Sequence, residues 1–342
     1  MKTLIVVSPS FDNIWQFAAD RIRELLEPVA EVGFVRLTAV SEPTLAGSVD
    51  DPKDYARLIA LGVPLRPADL DEFSSLQEAF ISSGYRMSKE VTELLESRGI
   101  RELSHISEGF WGQSVSEFAL GLTLAALRRI PQRHLAMISG DSWKYASAQF
   151  DDDPDFANGT VQGKRVRIVG AGNIASRYAS FMNMLGADVA AWDPFATEPS
   201  FHRAGSRREW SLEKLVTDAE IFVPMVPLTP STEGLIRAEH LRALPKGCLV
   251  VQATRAKICD MPELRRRVLA DELSLAADVF DIEPVPVGDP LLGRHNVVHT
   301  PHIAGRTKES NFSWAQLLVE QFAEYDFRKV PPAPAVPPLE RG

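Results

Sequence analysis

The stretch Arg165–Pro194, "RVRIVGAGNIASRYASFMNMLGADVAAWDP", decides how the rest of the chain is read. An apolar β-branched run leads into Gly170-Ala171-Gly172-Asn173-Ile174-Ala175, a helical stretch follows, and a second apolar run closes on Asp193. Strand, glycine turn, helix and strand in that order form the frame of a dinucleotide-binding unit. Gly170 permits the tight turn, Gly172 lets the backbone approach a pyrophosphate, and Ala175 lets the helix pack close to the strand. The helix N-terminus then offers unpaired N–H groups to the phosphates. Asp193 can accept both hydroxyls of an adenosine ribose and repels a 2′-phosphate, so NAD is expected over NADP. Arg203, Arg207 and Arg208 are the groups that could still admit NADP. A glycine turn that only packs would leave the position of the acid unexplained.

Working outward from this unit, apolar runs at 165–170, 188–192, 220–224, 248–252, 274–279 and 296–299 predict strands separated by helices, the alternation of a parallel sheet. Near the start, "TLIVVS" and "VGFVRL" predict two more strands. The spacing of Ile14, Phe17, Ala18, Ile22, Leu25 and Leu26 predicts one helix from Ile14 to Leu26. Further helices are expected near Tyr55–Leu61 and Leu70–Phe80. Ser114–Ile130 is apolar nearly all round, the pattern of a helix buried on most faces in a domain junction or a subunit interface. Pro131 is expected to close it. Residues 140–163, with "DDDPD" at 151–155, read as an exposed connection, and the last helix is expected to end near Phe327. The Pro-rich tail, 331–342, is expected to be extended.

The bulk properties exclude several classes. A chain of 342 residues accommodates two domains. A formal net charge of −9 gives no basic footprint for a nucleic acid. The densest basic run, Arg265–Arg267, is expected to be a solvated helix face, with Glu263, Asp271 and Glu272 nearby. Cys248 and Cys259 form neither a disulfide framework nor a metal-ligand spacing, so no metal is expected and the compartment is read as reducing. No stretch predicts a signal peptide or a membrane span, so the expected location is cytoplasmic.

Three predicted strand ends carry a candidate catalytic set. "LVVQATRAKICD" presents Arg255, "LAADVFDIEPVP" presents Glu283, and "VVHTPHIAG" presents His302. In an open α/β sheet, ligands bind beyond the carboxyl ends of the strands, so all three fall on the nicotinamide side. Oxidation of an alcohol by a nicotinamide removes a hydride from its carbon and a proton from its hydroxyl. Histidine is the natural acceptor for that proton. A glutamate hydrogen-bonded to it fixes the tautomer, and an arginine fork suits a carboxylate or a carbonyl oxygen. His299, inside the strand, is expected to be a packed residue with a satisfied nitrogen. Asp260 with Glu263 reads as a helix capping box.

The pieces "VGAGNIA", "WDP", "VPLTPSTEGLI" (226–236), "ATRAKICD" (253–260), "DVFDIEP" (278–284) and "TPHIAG" (300–305) resemble, in order and spacing, the D-isomer-specific 2-hydroxyacid dehydrogenases. The resemblance covers roughly residues 98–325. It implies two Rossmann-like α/β domains with a cleft between them. One is a discontinuous, flavodoxin-like substrate domain, 1–110 and 306–330. The other is a doubly wound NAD-binding domain, 111–305. It implies Arg255, Glu283 and His302 as the catalytic trio. Cofactor contacts are implied at Gly170, Gly172, Asn173, Ile174, Asp193, Val226, Pro227, Thr232, Ala253, Thr254, Arg255 and His302, and at Asp278 toward the nicotinamide end. A homodimer is expected through the helix 114–130.

The family's glutamine at the position of Glu283 in formate dehydrogenases disfavours formate. Its glycine-rich substrate loop is matched only in part by "SSGYRMSKE" (82–90), where Gly84 persists but Arg86 and Met87 replace small residues. "SEGFWGQSVSE" (107–117) departs as well. Gly84 and Arg86 are therefore expected, with Arg255, to contact the substrate, and Arg86 would add a second anion contact. The alternative implied by the family is an NADH-sensing scaffold like the C-terminal-binding-protein corepressors, and a related acceptor such as phosphite or a sugar-derived acid is a third reading.

Overall fold

The structure is a computed structural model that describes residues 1–38, 45, 49–82, 89–103, 109–140 and 153–322. By their contacts the described residues divide into two units, Met1–Phe110 with Arg306–Gly342, and Trp111–Gly305.

The first unit carries β1 (Thr3–Val7), β2 (Val32–Arg36), β3 (Arg57–Leu61), β4 (Glu78–Ser82) and β5 (Arg101–Glu102), all parallel, in the order β2-β1-β3-β4-β5. This is the flavodoxin-like order. Two helices expected from the sequence are strands instead. Tyr55–Leu61 holds β3, and Leu70–Phe80 splits into the end of the helix Pro67–Glu72 and the start of β4. Every residue of β3 is buried. A strand covered on both faces shows a continuous apolar run rather than an alternation, so its period is silent. The helix expected from Ile14 is also divided. Phe17 adopts a left-handed φ of 68°, which separates the helices Pro9–Ile14 and Ala18–Leu26. The helix Lys308–Val319 returns to pack on Ala18–Leu26 in this unit. The expected end near Phe327 and the tail lie outside the described residues.

The second unit carries β6 (Arg165–Val169), β7 (Asp188–Trp192), β8 (Arg207–Arg208), β9 (Ile221–Pro224), β10 (Leu249–Gln252), β11 (Ser274–Ala277) and β12 (Val297–His299). They form a parallel sheet in the order β12-β11-β10-β9-β6-β7-β8. From β6 outward this is the doubly wound dinucleotide-binding order with one strand added. Successive residues point to opposite faces. Ile168, Ile221, Val223, Val251, Ala276 and Val298 accordingly enter one apolar cluster, while Val169, Phe222, Val250, Leu275, Ala277 and Val297 enter another. The central strands are therefore buried on both sides. Cys248 and Cys259 are free and buried here, and burial pushes the Cys259 thiol up to about 12.

Two further expectations change in this unit. The helix Gly112–Leu127 is buried along one stripe, Val115, Ser116, Ala119, Leu122, Thr123 and Leu127, within the single chain. On that side the Thr123 and Tyr178 hydroxyls join at 2.8 Å, tying it to the helix Asn173–Met184. Pro131 does not close a helix. Arg129 turns the chain with a left-handed φ of 51°, and Pro131 stands in the first turn of a new helix, Ile130–Ile138, where its missing N–H costs nothing. The run Arg265–Arg267 is not a solvated face either. Arg265 pairs with Asp281 at 3.2 Å and Asp289 at 2.6 Å, and Arg267 is buried with bonds to Glu272 and to the Leu241 and Leu244 carbonyls. Only Arg266 of the three is exposed.

Candidate active site

β6 stays buried to Val169 and then meets Gly170, whose φ is 110°. A Cβ at Gly170 would fall 2.7 Å from the Met225 carbonyl oxygen, so the packing of the turn against the strand β9 end requires glycine. Gly172 is different. It caps the helix Asn173–Met184 with an ordinary negative φ, and a Cβ there would meet nothing within 4 Å. The open face beside Gly172 and the first-turn N–H groups fit a pyrophosphate. Ala175 is buried against the sheet. Asp193, just beyond β7, accepts from Ala171 N at 2.9 Å through one oxygen. It accepts from Phe195 N at 2.9 Å and Ala196 N at 3.1 Å through the other. Three of its roughly four acceptor sites are thus used to fix the carboxylate beside the glycine turn.

Two of the three arginines that could admit a 2′-phosphate have other engagements. Arg207 reaches Asp188 at 3.3 Å. Arg208 lies 3.8 Å from the Trp210 ring centroid and 3.7 Å from Glu198. Arg203 is exposed at the end of the helix Glu198–Arg203.

At the end of β9, Val226 is half-buried and Pro227 exposed. The Thr232 hydroxyl donates to the Pro227 carbonyl and accepts from Thr229 N at 2.8 Å, so it shapes this loop. At the end of β10, Ala253 is buried and the Thr254 hydroxyl donates to the Pro224 carbonyl at 3.2 Å.

β10, β11 and β12 are neighbours in the sheet, at spacings of about 4.8 Å. Arg255, Glu283 and His302 follow their carboxyl ends in that order, so all three leave the same edge. His302 Nδ1 lies 2.7 Å from Glu283 Oε2, and both side chains are partly exposed. The other Glu283 oxygen accepts from Phe280 N at 2.8 Å, which fixes the carboxylate from within its own turn. The loop that carries Glu283 is braced by Arg265 through Asp281 and Asp289. Burial opposes ionisation of Asp289, but the Leu291 amide and Arg265 outweigh it and hold its carboxyl below the usual range. Arg255 is exposed, and its Nη1 donates to the Thr254 carbonyl at 2.7 Å.

His302 has a left-handed φ of 53°, a conformation that costs a non-glycine residue about 1–2 kcal/mol. Asp278, directly after β11, is fully buried at 0% exposure. Its carboxylate accepts from the Thr300 hydroxyl at 2.7 Å, Ile303 N at 3.0 Å and Ala304 N at 2.8 Å. Sequence reasoning missed Thr300 altogether, although a hydroxyl two residues before the histidine was a visible signal.

His299 is exposed rather than packed, because β12 ends at the sheet edge there. Its Nε2 accepts from Gly293 N at 3.4 Å. Asp260 caps the helix Met261–Leu269 by accepting from Glu263 N at 3.0 Å, while the Glu263 side chain turns to Arg242 and Arg266 rather than completing the box. Gly84 and Arg86 lie outside the described residues, as does the start of 107–117. Among the described residues no group of histidine, cysteine and acids could hold a metal, and no helix is long and apolar enough to cross a membrane.

Residues 120–304, more than half of the chain, match the family described as D-isomer specific 2-hydroxyacid dehydrogenase, NAD binding domain. The chain is 30% identical over 208 residues to a D-3-phosphoglycerate dehydrogenase of Archaeoglobus fulgidus, a match that covers 60% of this chain and 38% of the relative. It is 27% identical over 288 residues to a glyoxylate reductase of Korarchaeum cryptofilum, covering 83% of each. The chain thus spans well under two thirds of the phosphoglycerate dehydrogenase. The fold is shared with the NAD-complexed D-isomer specific 2-hydroxyacid dehydrogenase of Lactobacillus delbrueckii ssp. bulgaricus. That structure gives a TM-score of 0.73 at 17% identity, over 94% of this chain and 96% of the other.

The two glycines predict opposite behaviour. Gly170→Ala should lower stability by about 1–3 kcal/mol in denaturant unfolding, from positive φ and the carbonyl contact. Gly172→Ala should stay within about 0.5 kcal/mol of the parent while NADH affinity, read by fluorescence titration, falls about tenfold or more, equivalent to about 1.4 kcal/mol. Unchanged NADH affinity in Gly172→Ala would remove the phosphate role of this turn.

Proposed function

The chain belongs to the D-isomer-specific 2-hydroxyacid dehydrogenase family, and from that premise we propose that it interconverts a D-2-hydroxy acid and its 2-keto acid with NAD(H). The observation that carries the proposal is the 2.7 Å contact between His302 Nδ1 and Glu283 Oε2 at the carboxyl edge of the sheet, one strand end from Arg255. Nδ1–H donates to the glutamate, so Nε2 is the nitrogen that exchanges a proton with the substrate oxygen on carbon 2. In the oxidising direction Nε2 takes the hydroxyl proton; in the reducing direction it returns one to the keto oxygen. Glu283 holds the ring in that tautomer. Arg255 swings from the Thr254 carbonyl to the substrate, where its fork pairs with the carboxylate and polarises the keto group. Bound NAD supplies the acceptor for the hydride of carbon 2. Gly170, Gly172, Asn173, Ile174 and Asp193 would hold its pyrophosphate and adenosine ribose, and Val226, Pro227, Thr232, Ala253 and Thr254 would line the way to its nicotinamide end. The engagement of Arg207 and Arg208 with Asp188, Glu198 and Trp210 supports NAD over NADP. A cytoplasmic location and the absence of nucleic-acid partners remain part of the same reading.

The second copy of a homodimer is proposed to cover the open apolar side chains of Leu124, Ile130, Leu135, Met137 and Ile138, which are exposed on the helices Gly112–Leu127 and Ile130–Ile138. Sedimentation should give a dimer for the parent and a monomer for Leu135→Glu combined with Ile138→Glu; a monomeric parent would reject it.

Activity is tested by NADH and NADPH oxidation over a panel of 2-keto acids, from glyoxylate and pyruvate through hydroxypyruvate to longer and dianionic acids. Turnover with NADH that falls about 10²–10⁴-fold in His302→Ala is expected. Tight NADH binding without turnover on any acid would favour a sensing scaffold of the corepressor type.

A further inference from the structure

We infer that Asp278 is a positioning residue that holds His302 in its working conformation. This inference rests on the acid–base role proposed for His302. Resemblance places Asp278 among the cofactor contacts, but its carboxylate faces the catalytic loop. All three of its hydrogen bonds come from a five-residue stretch, Thr300–Ala304, that brackets the histidine. Two donors lie just after His302 and one two residues before it. The residue between them is the one with the left-handed backbone, φ 53°. A strained residue persists only where its surroundings over-determine it. Here the flanks are fixed to a buried anion, and the strain has nowhere to relax.

The anchor itself is rigid. Asp278 follows β11, and its own N–H donates to the Gln252 carbonyl at the end of β10 at 2.8 Å. Thr300 N donates to the Ala277 carbonyl at 3.0 Å, so the loop is tied at the backbone as well as through the carboxylate. The side chain is completely buried, and a buried carboxylate is tolerated only where such donors satisfy it. The geometry therefore connects the sheet to the imidazole in two steps: strand end to Asp278, and Asp278 to the Thr300 hydroxyl before His302 and the Ile303 and Ala304 amides after it. Glu283 then fixes the ring orientation from the neighbouring loop.

The test compares the parent with Asp278→Asn and Thr300→Val. Asparagine keeps the shape but presents an N–H₂ to one group of amide donors, and valine removes only the hydroxyl bond. Four quantities are read: kcat, KM for the best 2-keto acid, the Kd of NADH, and hydrogen–deuterium exchange of the peptide spanning 297–306. For Asp278→Asn, exchange of this peptide should rise and kcat should fall about 10- to 100-fold, the loss expected when a catalytic group drifts by about 1 Å. The Kd of NADH should change less than about threefold, a shift of about 0.7 kcal/mol. Thr300→Val should show the same pattern with a smaller loss. The inference is overturned if NADH affinity falls while kcat at saturating NADH is retained, the signature of a cofactor contact. It is overturned equally if loop exchange is unchanged in both variants. Because exchange needs no substrate, a parent without turnover would remove the acid–base reading, while faster loop exchange in the variants would still establish the clamp on the His302 backbone.

Discussion

A parallel sheet delivers every strand end of one polarity to a single edge, and the unit Trp111–Gly305 depends on that constraint. The strand order β12-β11-β10-β9-β6-β7-β8 turns one linear sequence into a row of neighbouring loops. The glycine turn leaves β6, Asp193 follows β7, and Arg255, Glu283 and His302 follow β10, β11 and β12. Residues separated by dozens of positions in the chain become neighbours because their strands do. The sheet can bear functional loops at this edge because its central strands are sealed by apolar clusters on both faces.

Within that row, polar groups hold shape as often as they wait for a ligand. Asp193 fixes itself to three backbone amides beside the glycine turn. Arg265 ties down the loop of Glu283, and Asp278 ties down the loop of His302. Thr232 and Thr254 spend their hydroxyls on the Pro227 and Pro224 carbonyls, both at or just beyond the end of β9. Charged donors and acceptors of this kind form the strong class of hydrogen bond, and removing one partner strands the other in a buried place. Groups fixed in this way hold the loops of Glu283 and His302 in place before any ligand arrives, and such positioning is where proton transfer gains its rate.

The second unit was largely legible in the sequence because its signals are local. A glycine turn between an apolar strand and a helix is contiguous, and strands at 188–192 and 220–224 stand within a residue of their observed bounds. The first unit was less so. β3 reads "RLIAL", in which leucine and alanine favour a helix in isolation; burial on both faces overrides that preference and erases the alternation that would have revealed a strand. The two-residue strands β5 and β8 carry no periodic signal at all. Arg265 and Arg267 illustrate a different limit. Their sequence neighbours suggested a solvated face, but their partners, Asp281, Asp289 and the Leu241 and Leu244 carbonyls, come from other elements. The trio was legible as three strand ends, whereas the clamp of Asp278 on Thr300, Ile303 and Ala304 was not, since it joins two strand ends through space.

The most direct measurement follows the hydride itself. NADH deuterated at both C4 positions is supplied with the 2-keto acid that turns over best, and the product is analysed by NMR and chiral chromatography. Deuterium at carbon 2 of a D-configured hydroxy acid is the predicted result. A product without deuterium at carbon 2, or of the opposite configuration, would contradict the assignment of this edge of the sheet to D-2-hydroxy acid chemistry.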